Sequence, residues 1–404
     1  MLTRVSALSL VLLLGTAPQG RPLSSGSFRL AVPAGSYFSG SRIRISAAGI
    51  SGPYTISILG PGRIDRDTFI APSVDRPTWT TIVGASSTAV AYAAVRTVPP
   101  PSQSAHIIAV ATYQGGIALH DERTFAPLGS IAIDGPPGDV AFLPDGSMAT
   151  VDTDGDVLTR IGRSPWNIRQ IPGVPEGNEI AADSAGNIFV SDRDFQGQGA
   201  LTRVAPDGTV TRVPTGLTAE GIALSSATHT AYVGNVNDNT IAVVDTQAMR
   251  VLAKIPAVER PFGIALDEPE RRLFVVSNVS PSMSPRGGYV AAIGLDAAAP
   301  RIIAQSSKLR FPLGVAFDER FRRVFVTDEA SDVVYVLHSN TLREAHAPLA
   351  TCSTPWRPRV VGDRLYVPCA REDRVDVFSL ATLRRVRGAP FPTGGYPLSV
   401  AVWR

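Results

Sequence analysis

Acidic and amide side chains recur in this sequence where a repeating fold would gather them. Asn178 and Glu179 are adjacent, Asp192 follows, and Glu220 stands one repeat further on. Asp139, Asp152, Asn235 and Asp328 belong to the same series, and Arg359 is the cation among them. Oxygens of this kind, brought together, suit a hard cation such as Ca²⁺, which takes roughly six to eight oxygen ligands. The competing reading is local: an Asp or Asn at a strand exit caps its own turn by accepting backbone N–H groups. The run Asp152-Thr153-Asp154-Gly155-Asp156 lacks the later Glu of a calcium loop and reads as a turn. The histidines (His106, His120, His229, His338 and His346) show no metal-ligand spacing. Neither a G-x-S-x-G elbow nor a P-loop is present.

Those residues are positioned by a repeat. Past residue 104 a short apolar run returns at Asp139-Val140-Ala141-Phe142, Glu179-Ile180-Ala181-Ala182 and Gly221-Ile222-Ala223-Leu224. It returns again at Gly263, Gly314, Arg359 and Ser399, so successive starts are 40, 42, 42, 51, 45 and 40 residues apart. A second apolar run and two further strand-like segments follow each start. A period near 40 with four strands per unit predicts the blades of a β-propeller. One such unit cannot bury both faces alone; stacking units in a ring does.

Residues 397–403 supply only a first strand, and 106–133 supply only a second to a fourth. The C-terminal strand is therefore expected to close the ring, completing a seven-bladed, all-β propeller. In this register the second strands exit at Thr112, Asp152, Asp192, Asn235, Ser277 or Asn278, Asp328 and Cys369. First-strand entries carry Asp139, Asn178, Glu179, Glu220, Phe262, Leu313, Arg359 and Ser399. Asp139, Glu179 and Arg359 fall in a slot that is Gly in blades four to six, where a charge needs solvent or a partner. The two cysteines, Cys352 and Cys369, are expected at one face of the last blade, close enough for a disulfide near the closure.

The chain ahead of the repeat divides into a leader and a small domain. Arg4, the apolar run Val5 to Leu14 and the small residues Gly15 to Ala17 read as an export signal within residues 1–20. A run of ten residues, two of them serine, is well short of the roughly 20 of a spanning helix. Residues 26–98 hold six strand-like runs and predict a small β-sandwich, joined by the Pro-rich linker 99–104. A net charge of +3 over 404 residues gives no basic stripe and excludes nucleic acid as the expected partner.

Two resemblances refine this. Tyr232-Val233-Gly234-Asn235, then Asn239 to Asp245, Ile255-Pro256 and Pro261 to Ala265, resembles the YVTN-type propeller repeat. Ala185 to Asp192 is similar to NHL and gluconolactonase-type repeats. Gluconolactonase-like propellers hold an axial metal through Glu, Asn and Asp. That resemblance implies Glu179, Asn178 and Asp192 as ligands, with Glu220 beside them. Gly62-Arg63-Ile64, Thr68 to Pro72 and Thr80 to Val83 resemble bacterial immunoglobulin-like repeats, which imply a spacer or adhesive module.

The expected function is a monomeric, exported, non-catalytic scaffold that binds a protein, glycan or cell-envelope component at the propeller face. The alternative is a metal-dependent lactonase-type hydrolase using an acidic funnel lined by Asp139, Asp152, Asn235, Asp328 and Arg359. Trp79, Trp166, Trp356 and Trp403 are too dispersed for the docking pattern of a quinone propeller.

Overall fold

The structure is a computed structural model. It describes residues 28–404 apart from 34, 51, 164–165, 195–197, 285–286 and 296–299. The expected export signal lies outside the described residues. No helix among the described residues is long and apolar enough to cross a membrane.

Short β-branched and apolar runs between turn residues fold as antiparallel strands, four to a blade. Strands a to d run from the axis outward. Blade two is Pro137–Phe142, Met148–Asp152, Val157–Arg163 and Trp166–Pro172. Blades three to seven repeat this order over residues 177–216, 219–256, 261–305, 312–350 and 359–392. Blade one is composite: the C-terminal strand Pro397–Trp403 lies inside Ile107–Thr112, Gly116–Asp121 and Pro127–Ile131. The innermost strands touch in a closed cycle, from 137–142 round to 359–361 and on to 397–403.

The ring is held by apolar layers between blades. Ile107, Ala109 and Ile117 of blade one pack with Val140, Met148 and Ile161 of blade two. On the other flank, Ile108, Val110 and Val400 pack with Tyr366, Val377 and Phe391 of blade seven. Both faces of the composite blade are thus buried, which a single isolated sheet does not achieve. Glu122 of blade one accepts Arg404 at 2.9 Å and Arg364 of blade seven at 3.1 Å, a polar clasp over the same junction.

The Cys352–Cys369 disulfide is formed, with a Cα–Cα distance of 5.6 Å. It ties the entry of the innermost strand of blade seven to the exit of its neighbour. A bond of this kind fits an oxidising compartment. Thiol titration of the denatured protein should find no free thiol until reductant is added, and then two.

Between 28 and 98 the described residues form nine strands in three sheets. One of these sheets continues into the propeller. Ser36–Phe38 pairs in parallel with Val90–Val98 on one side and with Pro127–Ile131 on the other. The outer edge of blade one is therefore covered, which removes an edge open to stray pairing. Phe38 packs on Trp166 at 5.4 Å between ring centroids, and the Trp166 indole donates to the Ser39 carbonyl at 2.9 Å. Arg163 donates to the Ser102 and Gln103 carbonyls at 2.7 and 2.8 Å, so the Pro-rich segment is fastened to blade two.

Candidate binding site at the funnel mouth

The innermost strands share a local irregularity. In blades two, four, five and six the first residue pairs with the second-strand exit and regular pairing resumes three residues on: Pro137↔Asp152 then Val140↔Thr150, Pro261↔Ser277 then Ile264↔Val275. Blade three resumes at Glu179↔Ser191 after Gly177↔Asp192. Bulges of this kind re-aim side chains and tighten local twist. They turn Asp139, Asn178, Glu179 and Glu220 toward the axis.

Blade seven departs from the expected register. Pro355 bridges Cys369, as Pro312 pairs with Asp328 and Pro397 with Thr112. The residue two beyond that pair is Gly314 in blade six, Ser399 in blade one and Arg357 in blade seven. Arg357, not Arg359, therefore occupies the slot shared with Asp139, Glu179, Gly221, Gly263 and Gly314. Arg359 pairs with Tyr366 as Ala316 pairs with Phe325, so it stands at an alanine position. With Arg357 as the start, the last three spacings become 51, 43 and 42 residues.

Side chains in this slot cap the next blade. Ser399 Oγ accepts the Val140 N–H at 3.1 Å, Asp139 Oδ2 the Ile180 N–H at 2.9 Å, and Glu179 Oε2 the Ile222 N–H at 2.9 Å. In blades four to six no side chain fits: a Cβ on Gly221 would lie 2.0 Å from the Phe262 carbonyl oxygen.

Arg357 completes this layer from across the channel. It is buried, and its Nε lies 3.0 Å from Glu179 Oε1. It donates to the Gly138 and Asn178 carbonyls, each at 3.1 Å, and to Asn178 Oδ1 at 2.6 Å. The Asn178 amide donates in turn to the Glu220 carboxylate. Arg359 pairs with Asp139 at 3.0 Å. Burial pushes the Glu179 carboxyl up against the opposing pull of Arg357 and Arg359. It pushes Glu220 up to about 7, with Arg193 and Arg357 opposing and Glu179 adding to the rise.

The predicted metal set does not come together. Asp192 is buried inside its own blade, where it accepts Thr202 Oγ1 at 2.6 Å and a two-pronged Arg212 at 3.0 and 2.9 Å. Among the described residues, Glu179, Asp192 and Glu220 form no group whose carboxylates converge. Glu179 is taken by Arg357 and Glu220 by Asn178, so this donor set does not fit Ca²⁺. The funnel is also not acidic in effect, because each slot carboxylate faces a guanidinium.

The other strand exits cap turns. Asp152 Oδ1 accepts the Asp154 N–H at 3.0 Å. Asp328 Oδ2 accepts the Arg310 and Phe311 N–H groups at 2.8 and 3.0 Å. Asn235 donates to Thr240 Oγ1 at 3.1 Å and to the Thr215 carbonyl at 3.3 Å.

Above the ion-pair layer, at the entry face, lies a cavity of about 450 Å³. Its walls include Tyr113, Trp356 and Tyr396, with Asn178, Arg193 and Arg357 toward the floor. Tyr113 and Tyr396 meet edge to face at 6.4 Å, and the Tyr113 hydroxyl donates to Asp154 at 3.0 Å. That hydrogen bond holds the phenol above its usual value. Among the described residues the buried Trp356 indole N–H has no acceptor. None of Tyr113, Arg193, Trp356, Arg357 or Tyr396 was singled out from the sequence as a site residue. The Pro-apolar-X run shared by Pro261-Phe262-Gly263, Pro312-Leu313-Gly314 and Pro397-Leu398-Ser399 was the available signal for Trp356 and Arg357.

No family model matches the chain, and no curated protein matches it by sequence. Solved structures match its shape. A functionally unknown protein from Desulfotomaculum acetoxidans covers 74% of this chain with 99% of its own, at a TM-score of 0.62 and 13% identity. The periplasmic gluconolactonase of Pseudomonas aeruginosa covers 74% with 99% of its own, at 0.60 and 15%. A putative 6-phosphogluconolactonase from Bacteroides uniformis covers 74% with 100% of its own, at 0.60 and 13%. The fold is a β-propeller. Identities this low speak to the fold and leave the chemistry to the side chains.

Proposed function

We propose that this chain is an exported, seven-bladed binding propeller that takes a glycan or sugar-like polyol in the entry-face cavity, without catalysis. The observation that carries this is the composition of one cavity: three aromatic rings beside two amides, a carboxylate and two guanidiniums. Aromatic rings offer flat apolar area and a polar rim, and amide and guanidinium groups offer directed donors. A polyol presents both kinds of surface. On this reading residues 26–98, an immunoglobulin-like module, hold the propeller away from the cell surface or attach it there.

Calorimetric titration against a panel of oligosaccharides tests the proposal. Trp356→Ala should weaken binding of the best ligand at least tenfold with little change in melting temperature. Tyr113→Phe, which removes only the hydroxyl bonded to Asp154, should weaken it by less. Binding that is indifferent to Trp356 would reject the cavity as the site. The shape shared with gluconolactonases favours one second reading, hydrolysis of an aldonolactone. Turnover of gluconolactone by the wild type, lost in Arg193→Met, would establish it in place of plain binding.

A further inference from the structure

The N-terminal module keeps one sheet face open. Strand Thr55–Leu59 pairs with Thr78–Ala85, which pairs in turn with Val90–Val98. One set of alternate residues, Ile58, Ile82 and Val95 among them, packs into the module's own core. The register puts the other set on the opposite face: Leu59 beside Thr81, Val83 beside Tyr92, Ala85 beside Val90 and Trp79 beside Arg96. On that face Leu59, Trp79, Val90 and Tyr92 are 56%, 58%, 47% and 54% exposed. Large apolar side chains gathered on one face form a patch, and such patches mark interaction surfaces.

Charge says what the patch would meet. Residues 28–98 hold seven arginines against three aspartates, with no Lys or Glu, a net charge of +4, whereas the whole chain is +3. Two of those aspartates, Asp65 and Asp67, already face Arg42 and Arg44. Among the described residues no acid stands on the outward face of the three strands, and Arg96 does. Arg63 and Arg76 are exposed and belong to the same end of the sheet as Leu59 and Trp79. The loop from Leu59 to Arg63 lies against that end, where the Pro61 carbonyl accepts Thr80 Oγ1 at 2.6 Å. Arg76 is held beside the start of the next strand, its carbonyl accepting Thr78 Oγ1 at 3.0 Å. Trp and Tyr favour the boundary between water and hydrocarbon, which accommodates both ring and polar edge. Each basic side chain close to an anionic lipid surface adds about fivefold in affinity. From strand spacing and rise the face measures roughly 14 by 25 Å, about 350 Å². A stable dimer needs about 800 Å² per partner, so a second copy is the poorer occupant.

We infer that this face is a peripheral docking surface for an anionic lipid bilayer. Leu59, Trp79, Val90 and Tyr92 enter the head-group region, and Arg63, Arg76 and Arg96 meet the lipid phosphates. The inference rests on the face and the charge of this module and is independent of what the entry-face cavity binds.

The test uses the full chain and two kinds of vesicle, phosphatidylcholine alone and phosphatidylcholine with about one third phosphatidylglycerol. Co-sedimentation should show binding to the anionic vesicles at least about tenfold tighter, falling toward the neutral level as salt rises to about 0.5 M. Trp79 is exposed while Trp166, Trp356 and Trp403 are half-buried, so tryptophan emission should shift to the blue on binding. Trp79→Phe should keep the binding and lose that shift. Leu59→Ser with Trp79→Ser should weaken binding at least about tenfold. Arg63→Gln with Arg76→Gln should weaken it by a similar factor, about tenfold or more. Melting temperatures of both double variants should stay near the wild type, because all four side chains are exposed. Trp356→Ala should leave vesicle binding unchanged, whatever it does to a glycan. Equal binding to the two kinds of vesicle overturns the proposal, and so does undiminished binding in either double variant or loss of binding in Trp356→Ala. Self-association of the free protein that Leu59→Ser with Trp79→Ser abolishes also overturns it, because a second copy would then be the occupant.

Discussion

Arg357→Met should lower folding stability by about 3–5 kcal/mol at pH 8, the cost of stripping one partner from a buried ion pair. The side chain is buried, and so is Glu179, whose carboxylate it holds at 3.0 Å. Methionine fills much of the same volume but leaves Glu179 with the Ile222 N–H alone. The Gly138 and Asn178 carbonyls lose a donor as well. Glu179 already has its carboxyl pushed up by burial, and the loss of Arg357 removes the larger opposing charge. The variant should therefore recover part of its stability as the pH is lowered toward the ordinary carboxylate range, because Glu179 takes up a proton in the fold before it does in the unfolded chain. Adding Glu179→Gln should restore part of the loss at pH 8, because a pair removed together leaves no orphaned charge. Denaturant unfolding of the two single variants and the double variant reads the coupling directly. A loss under 1 kcal/mol at pH 8 would mean that water reaches Glu179 and that the layer is not a seal.

The architecture was legible because it is written in periodicity. Apolar runs every 40 or so residues, and a lone first strand at the end of the chain, are direct consequences of how blades stack and close. The closure strand Pro397–Trp403 beside Ile107–Thr112, and the Cys352–Cys369 bond, follow from that register alone. The site was less legible for two physical reasons. First, an Asp at a strand exit looks the same whether it caps a turn, like Asp328, or binds an arginine, like Asp192. Second, contacts across the channel join residues far apart in sequence. Arg357 meets Asn178 and Gly138 over separations of 179 and 219 residues, which no repeat alignment reveals. Arg359 precedes Val360 just as Asp139 precedes Val140 and Gly221 precedes Ile222, yet the Pro355–Cys369 bridge fixes the register two residues earlier, at Arg357. The slot itself was informative: the off-consensus Asp139 and Glu179 both take part in the ion-pair layer. The continuity of the N-terminal strands with blade one left no trace, because Ser36–Phe38 is only three residues long.

Glu220→Gln should make the protein more stable at high pH and leave it unchanged at low pH. The Glu220 carboxyl is buried, and burial lifts it from 4.5 to about 7. Arg193, Arg357 and Arg260 oppose the rise and Glu179 adds to it. Between the unfolded and folded values the native protein holds a proton that the unfolded chain has released. The contribution of Glu220 is thus fully present below about pH 4.5 and is lost as pH climbs to about 7. A shift of this size corresponds to about 3 kcal/mol. Glutamine keeps an acceptor for the Asn178 amide and carries no charge to desolvate. The difference in unfolding free energy between variant and wild type should therefore be near zero at pH 4.5. It should grow through pH 6 and level off at about 3 kcal/mol above pH 7.5. Comparing the two proteins at each pH cancels the titration of every other group they share. Parallel stability curves from pH 4.5 to 8 would show that Glu220 stays ionised in the fold, and that the Asn178 to Arg357 chain carries a net negative charge instead of a shared proton.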